Sequence, residues 1–301
     1  MKHFRMYGLL GASAIVAGAL LSLPAIAGMM APPSISIVSP AMGASVTSAE
    51  IPVTVDVKNF RLECASMGKT TAPMGEGHIH AMVDGMSVAN LTSVACSDTF
   101  AISGQGLKPG KHMLTVVLAN DAHAMNSLPT SVAFDYAPSA PKALPAAASS
   151  GKATVQLVSP KNGASVGRKF DLVLAVNNFD LSCALEGKPN VAGWGHVHVF
   201  VQQAGESSAA AATPMVAMMS TPEGMTMAKD FMMSSHMTMD EMKPLMMMSM
   251  PSMIGMPCTK SIPIDLSNWH SGPAKIVVQL ANNDHMPTMG VAPVVFTVNV
   301  K

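Results

Sequence analysis

The chain has 301 residues, only 12% of them charged, with 18 basic residues against 18 acidic ones and 29 methionines. A near-neutral chain without a basic run excludes an electrostatic footprint for nucleic acid or for an anionic membrane surface. The length suits two domains of ordinary size, and the methionine excess calls for a chemical reason.

The chain opens with Lys2 and Arg5, then an apolar run from Tyr7 to Leu23 that Pro24 breaks, then the small-x-small triplet Ala25-Ile26-Ala27. This predicts a signal peptide over 1–27, cleaved after Ala27, and a periplasmic or secreted mature protein. The competing reading is a membrane anchor, but the run is short for a span. No later stretch is long and apolar enough to cross a bilayer, so no span is expected after cleavage. Removing Lys2 and Arg5 leaves 16 basic residues against 18 acidic ones.

An internal repeat organises the remainder. Ile37-Val38-Ser39-Pro40 recurs as Leu157-Val158-Ser159-Pro160, Gly77-His78-Ile79-His80 as Gly195-His196-Val197-His198, and Leu118-Ala119-Asn120-Asp121-Ala122-His123 as Leu280-Ala281-Asn282-Asn283-Asp284-His285. Cys96 to Phe134 aligns on Cys258 to Phe296 at a constant offset of 162, whereas the upstream offset is about 118 to 120. The second copy therefore carries roughly 44 extra residues between His198 and Cys258. Each copy alternates short apolar runs with turn signals: Ile51-Pro52-Val53-Thr54-Val55-Asp56-Val57 reads as a half-buried strand, and Val294 to Val300 closes the second copy. About seven short strands in about 100 residues predict an all-β chain of two tandem immunoglobulin-like β-sandwiches. The expected boundaries are 34–136 and 153–301, joined by an exposed Pro/Ala/Ser-rich linker over 137–152.

Four cysteines in an exported protein are expected to be oxidised. Three pairings are possible. Cys64 with Cys96 and Cys183 with Cys258 keeps both bonds inside a repeat, and a thiolate metal site is the alternative.

His78 and His80, like His196 and His198, lie two apart on a strand and share a face, while Ile79, Ala81 and Val83 take the core side. The histidines are thus expected to face outward or into a cleft. Two such imidazoles can chelate one metal, and His123 and His285, each after a late strand, are candidate third ligands. Three neutral imidazoles suit Cu(II) or Zn(II). The plain alternative is surface polarity, with His123 and His285 capping turns. His112 and His270 have no counterpart in the other copy.

Met215 to Met256 holds 16 methionines, among them Met225, Met227, Met232, Met233, Met237, Met239, Met246, Met247, Met248 and Met250, with His236 in their midst. Thioethers are soft ligands that remain usable where thiols oxidise, so this insertion, placed at about 205–255, points to Cu(I) or Ag(I). Flexible apolar filler or a partner surface and a sacrificial oxidant trap are the other readings. Five prolines and two glycines argue against one long core helix.

Each copy resembles a bacterial exported domain of unknown function, marked by Ser-Pro-x-x-Gly-Ala-x-Val, Gly77-His78-Ile79-His80 with Asp84-Gly85, Pro109-Gly110-Lys111-His112 and His123. The second copy lacks the Asp-Gly turn and has Gly272-Pro273-Ala274. The closing hairpin is similar, more loosely, to the CopC copper-resistance sandwich. The His196-Val197-His198 strand also resembles that of copper-zinc superoxide dismutase, but no His-rich loop follows. With no Ser-His-Asp order, carboxylate pair or phosphate loop, no enzyme is expected. The sequence reading is an exported copper-binding protein of storage, delivery or tolerance, its protein partner unknown. The alternative is a non-metal structural or adhesive module with a methionine-rich partner loop.

Overall fold

The computed structural model describes residues 31–69, 75–148, 151–204 and 252–301. The leader expected over 1–27, His236 and the ten candidate methionines from Met225 to Met250 lie outside the described residues.

The first copy runs β1 (Ser34–Ser39), β2 (Ser45–Val46), β3 (Glu50–Lys58), β4 (Arg61–Leu62), β5 (Glu76–Val83), β6 (Leu91–Ala95), β7 (Thr99–Ser103), β8 (Gly110–Asn120) and β9 (Thr130–Tyr136). The second repeats it as β10 (Thr154–Ser159), β11 (Ser165–Val166), β12 (Lys169–Asn177), β13 (Asp180–Leu181), β14 (Trp194–Gln203), β15 (Met253–Gly255), β16 (Ser261–Asp265), β17 (Gly272–Asn282) and β18 (Val294–Val300). Each copy is two sheets. The small ones are ordered β1-β3-β7 and β10-β12-β16. The large ones are β2-β9-β8-β5-β4, with β6 also on β5, and β11-β18-β17-β14-β13, with β15 also on β14. The chain is thus two tandem immunoglobulin-like sandwiches.

Period-2 patterning builds the cores. On β3, Ile51, Val53 and Val55 are buried while Glu50, Pro52 and Asp56 are exposed. They meet Ile79, Ala81 and Val83 of β5 and Leu114, Val116 and Leu118 of β8 in one cluster. The second cluster is its counterpart, with Leu172, Leu174 and Val176 against Val197, Val199, Val201, Ile276 and Val278, and Trp269 added. Cys64–Cys96 and Cys183–Cys258 are both bonded, with Cα atoms 5.8 and 5.4 Å apart, inside the usual range.

Two details differ from the sequence reading. Met253–Gly255, the end of the segment assigned to the insertion, is strand β15; it pairs with β14, and Met253 is fully buried. Its register against β14 matches that of Leu91 against β5, so the offset of 162 extends upstream of Cys258. The linker is also tied down at both ends: Gly106 N–H donates to Lys142 O at 2.8 Å, Trp194 Nε1–H to Ala146 O at 2.9 Å, and Ala148 N–H to Ala192 O at 2.9 Å. Pro32–Lys301 forms one compact unit.

Candidate metal centres

The Gly-His-x-His strand owes its glycine to strand packing. Gly77 faces Asn120 across the β5–β8 ladder, its φ is +145°, and a Cβ there would overlap the Ala119 carbonyl oxygen. A Cβ at Gly195 would overlap that of Ala281 in the same way. The strand is therefore drawn tightly onto β8 or β17. In that register His78 faces Ala119, His80 faces Val117, His196 faces Ala281 and His198 faces Gln279.

The third histidine arrives on a turn. After β8, Asn120 Oδ1 accepts from the N–H groups of Ala122 and Ala124 at 3.1 and 2.9 Å, and His123 N–H donates to Asn120 O at 2.8 Å. His123 adopts φ +60° and His285 φ +65°, the left-handed region that non-glycine residues visit rarely and that recurs at functional sites. This conformation folds each ring back over its sheet.

The structure brings together the six histidines that the repeat singled out. In the first cluster, Nε2 of His78 is 2.9 Å from Nε2 of His80 and 3.0 Å from Nδ1 of His123, and the third side is 3.2 Å. In the second, Nε2 of His196 and His198 are 2.9 Å apart, with the His285 ring centroid 4.6 and 5.8 Å from theirs. The candidate ligand atoms of each trio lie within 4.8 Å of one another.

Of the two placements expected, outward or into a cleft, the structure shows the enclosed one, and the surface-polarity alternative does not hold. All six histidines are at most 5% exposed, and every residue of β5 is buried on both faces. The cover comes from the other sandwich. His123 Nε2 bonds the carbonyl of Met253 at 2.9 Å, and His285 Nε2 bonds that of Leu91 at 2.7 Å. A carbonyl only accepts, so the proton sits on Nε2 of each ring and Nδ1 carries a lone pair, which on His123 faces His78 and His80.

Burial keeps the rings neutral. His78 and His80 are held well below the usual histidine range, first by loss of hydration and then by the charge of His123. Burial brings His123 down to about 4, against the opposing bond to Met253. It brings His196 to about 2 and His198 to about 3, and lowers His285. His285 also lowers His80, and His123 also lowers His198, each by a smaller amount than burial. Among the described residues, Nδ1 of His78, His80, His196 and His285 are buried without a hydrogen-bond partner.

Other candidates fall elsewhere. His112 bonds Asp84 at 2.6 Å and Lys108 O at 2.7 Å, and His270 exchanges backbone bonds with Gln203. Sequence reasoning missed the carbonyls of Leu91 and Met253. Their matching register was legible in the repeat offset, but the contact between copies was not. It also missed Glu63, Glu76 and Asp121, whose carboxylates gather in the first copy. Asp121 is fully buried and burial raises it to about 7; the second copy has Asn283 there. A cavity of about 420 Å³ reaches His123 and is lined by both sandwiches, including Met67, Thr92, Glu186, Met253 and Met256.

No protein-family model matches the chain, and no curated protein sequence matches it. The proposed kinship with the Gly-His-x-His exported domain and with CopC therefore gains no support from sequence comparison. Solved structures align along most of the chain at low identity. The fibronectin(III)-like modules of Clostridium thermocellum CbhA are 12% identical over 89% of this chain and 94% of theirs, with a TM-score of 0.24. Sidekick-1 immunoglobulin domains 1–5 are 7% identical over 91% of this chain and 40% of theirs, with a TM-score of 0.20. The strand topology is that of an immunoglobulin-like fold, and it carries two buried three-histidine clusters that could hold a metal ion.

Proposed function

We propose that the chain is an exported copper-binding protein with one site in each three-histidine cluster, acting in copper storage, delivery or tolerance. The convergence of three ring nitrogens at 2.9, 3.0 and 3.2 Å carries the reading. His123 contributes only a lone pair, and a neutral imidazole has one N–H, so the rings of His78 and His80 cannot satisfy this triangle and their buried Nδ1 atoms as well. A cation accepts all three lone pairs at once. His78, His80 and His123 would hold such a cation in the first copy and His196, His198 and His285 in the second, where it would supply the positive charge that the converging lone pairs lack. A neutral N₃ donor set suits Cu(II) or Zn(II), and the affinity order puts Cu(II) first.

The two disulfides accord with an oxidising compartment, and among the described residues no helix is long and apolar enough to cross a membrane. The methionine-rich segment supplies the soft donors that Cu(I) prefers, so each redox state has a matching ligand type within one chain.

Copper titration followed by electron paramagnetic resonance tests this. Two nitrogen-ligated sites are expected in the wild-type chain, one in either His80→Ala or His198→Ala, and none in the double variant. Nitrogen ligation that persists in the double variant overturns the assignment. A non-metal structural or adhesive role is favoured by the cross-sandwich bonds of His123 and His285, which interface histidines make without a metal. That reading requires the melting temperature to be indifferent to added copper. The metal reading requires about 2.7 kcal/mol of stabilisation per site at a hundredfold excess over Kd.

A further inference from the structure

The contacts that close the two clusters are reciprocal. Met253 is the counterpart of Leu91, His285 of His123 and Asn283 of Asp121, all at the offset of 162. Around the histidine–carbonyl bonds, Gly68 N–H donates to Asp121 O at 2.6 Å and Gly187 N–H to Asn283 O at 2.8 Å. Each glycine then presses on the opposite sandwich. A Cβ on Gly68 would lie 2.9 Å from both Met253 O and Ile254 Cγ2, and one on Gly187 would lie 2.7 Å from Leu91 O and Thr92 Cγ2. The two copies thus meet about a pseudo-two-fold axis, histidine face to histidine face.

We infer that docking of the two sandwiches organises both metal sites, each supplying the backbone acceptor that orients the third ligand of the other. The inference rests on the metal-binding reading. Without the Met253 carbonyl, His123 is free to place its proton on Nδ1 and to rotate out of the cluster; with it, the tautomer and ring plane are set for ligation. Linkage then runs both ways. A cation on Nδ1 makes Nε2–H a stronger donor to the opposite sandwich, so occupancy tightens docking by the factor by which docking tightens binding. The repeat accounts for the arrangement: two copies of one half-site surface, joined by a short linker, cover each other.

The test wedges the interface without touching a histidine of the site whose affinity is read. Gly68→Val in the full chain, with His196→Ala and His198→Ala removing the second site, is expected to weaken Cu(II) binding at the first site about 10- to 100-fold. Gly187→Val, with His78→Ala and His80→Ala, should weaken the second likewise. Gly43→Val is the control for backbone strain, since Gly43 has φ +72° but nothing within 4 Å of a Cβ; it should leave affinity unchanged. A metal-free readout accompanies these. The protected Nε2–H resonance of His123 should be present in the wild type and in Gly43→Val, and absent in Gly68→Val. Should the valine variants not fold, Gly68→Ala and Gly187→Ala take their place, because their Cβ atoms alone make these contacts. Wild-type binding that the wedges leave unchanged overturns the inference and spares the metal reading. A protected Nε2–H without copper binding at the histidines in the wild type overturns both.

Discussion

His123 and Met253 stand 130 residues apart, yet the imidazole Nε2–H of one donates to the backbone carbonyl of the other at 2.9 Å. The bond joins the two sandwiches at a point where both partners are excluded from water. His123→Ala is therefore expected to strip a buried carbonyl of its donor and to cost about 1–3 kcal/mol, with a further cost for the space left behind. His285→Ala should do the same at Leu91. Urea unfolding of the metal-free variants measures both. Losses below about 0.5 kcal/mol would show that the two sandwiches are not held at these bonds.

Acid should undo the metal-free chain. The clustered histidines titrate lower folded than unfolded, so between about 6.5 and about 4 the unfolded chain binds more protons and stability falls as pH falls through that window. Asp121, raised to about 7, acts in the opposite sense, gaining stability as pH falls towards the ordinary carboxylate range. Glu186, which burial raises to about 8, acts in the same sense as Asp121, and two carboxyls against six histidines leave the net slope with the histidines. Thermal melts across this range check the sign, and His78→Ala with His196→Ala should flatten the dependence.

Removing residues 206–250, with a short Gly-Ser bridge in their place, should leave both sandwiches folded. Gln203 and Met253 already end adjoining strands, with Val201 N–H bonded to Ser252 O at 2.7 Å. Circular dichroism should show unchanged β content and peptide mapping the same disulfides. Cu(I) or Ag(I) capacity, measured against a calibrated chelator, should drop strongly while Cu(II) binding at the histidines persists. A longer deletion through Gly255 should fail, since it removes β15 and the acceptor of His123.

Gly77→Ala and Gly195→Ala should each cost more than about 2 kcal/mol, because the new Cβ meets the carbonyl of a neighbouring strand that cannot move aside without breaking its ladder. A melting temperature within a degree or two of wild type would show that β5 and β14 have room that this register denies them.

Loss of either disulfide bears on a loop of known length. With sequence separations of 32 and 75, the chain-entropy relation gives about 4 kcal/mol for each bond. Cys64→Ala with Cys96→Ala, and Cys183→Ala with Cys258→Ala, are expected to lose stability of that order, read by denaturant titration.

The sequence by itself determined the parts. The period-2 runs placed the core strands, the matched cysteines named both disulfides, and the repeat picked out His78, His80 and His123 with their counterparts, because spacing of two on a strand fixes a shared face. Those are local properties of a backbone whose side chains alternate. Only the tertiary structure decided what that face meets. A histidine pair turned away from its own core reads as exposed in any single sandwich, and nothing in the residues of one copy announces that the other covers it. The burial of the rings at the meeting of the two sandwiches, and the carbonyls of Met253 and Leu91 that hold His123 and His285, depend on contacts between chain segments more than 100 residues apart. Met253 shows the difference: by composition it belonged to the methionine-rich segment, and by its pairing with β14 it belongs to the sheet.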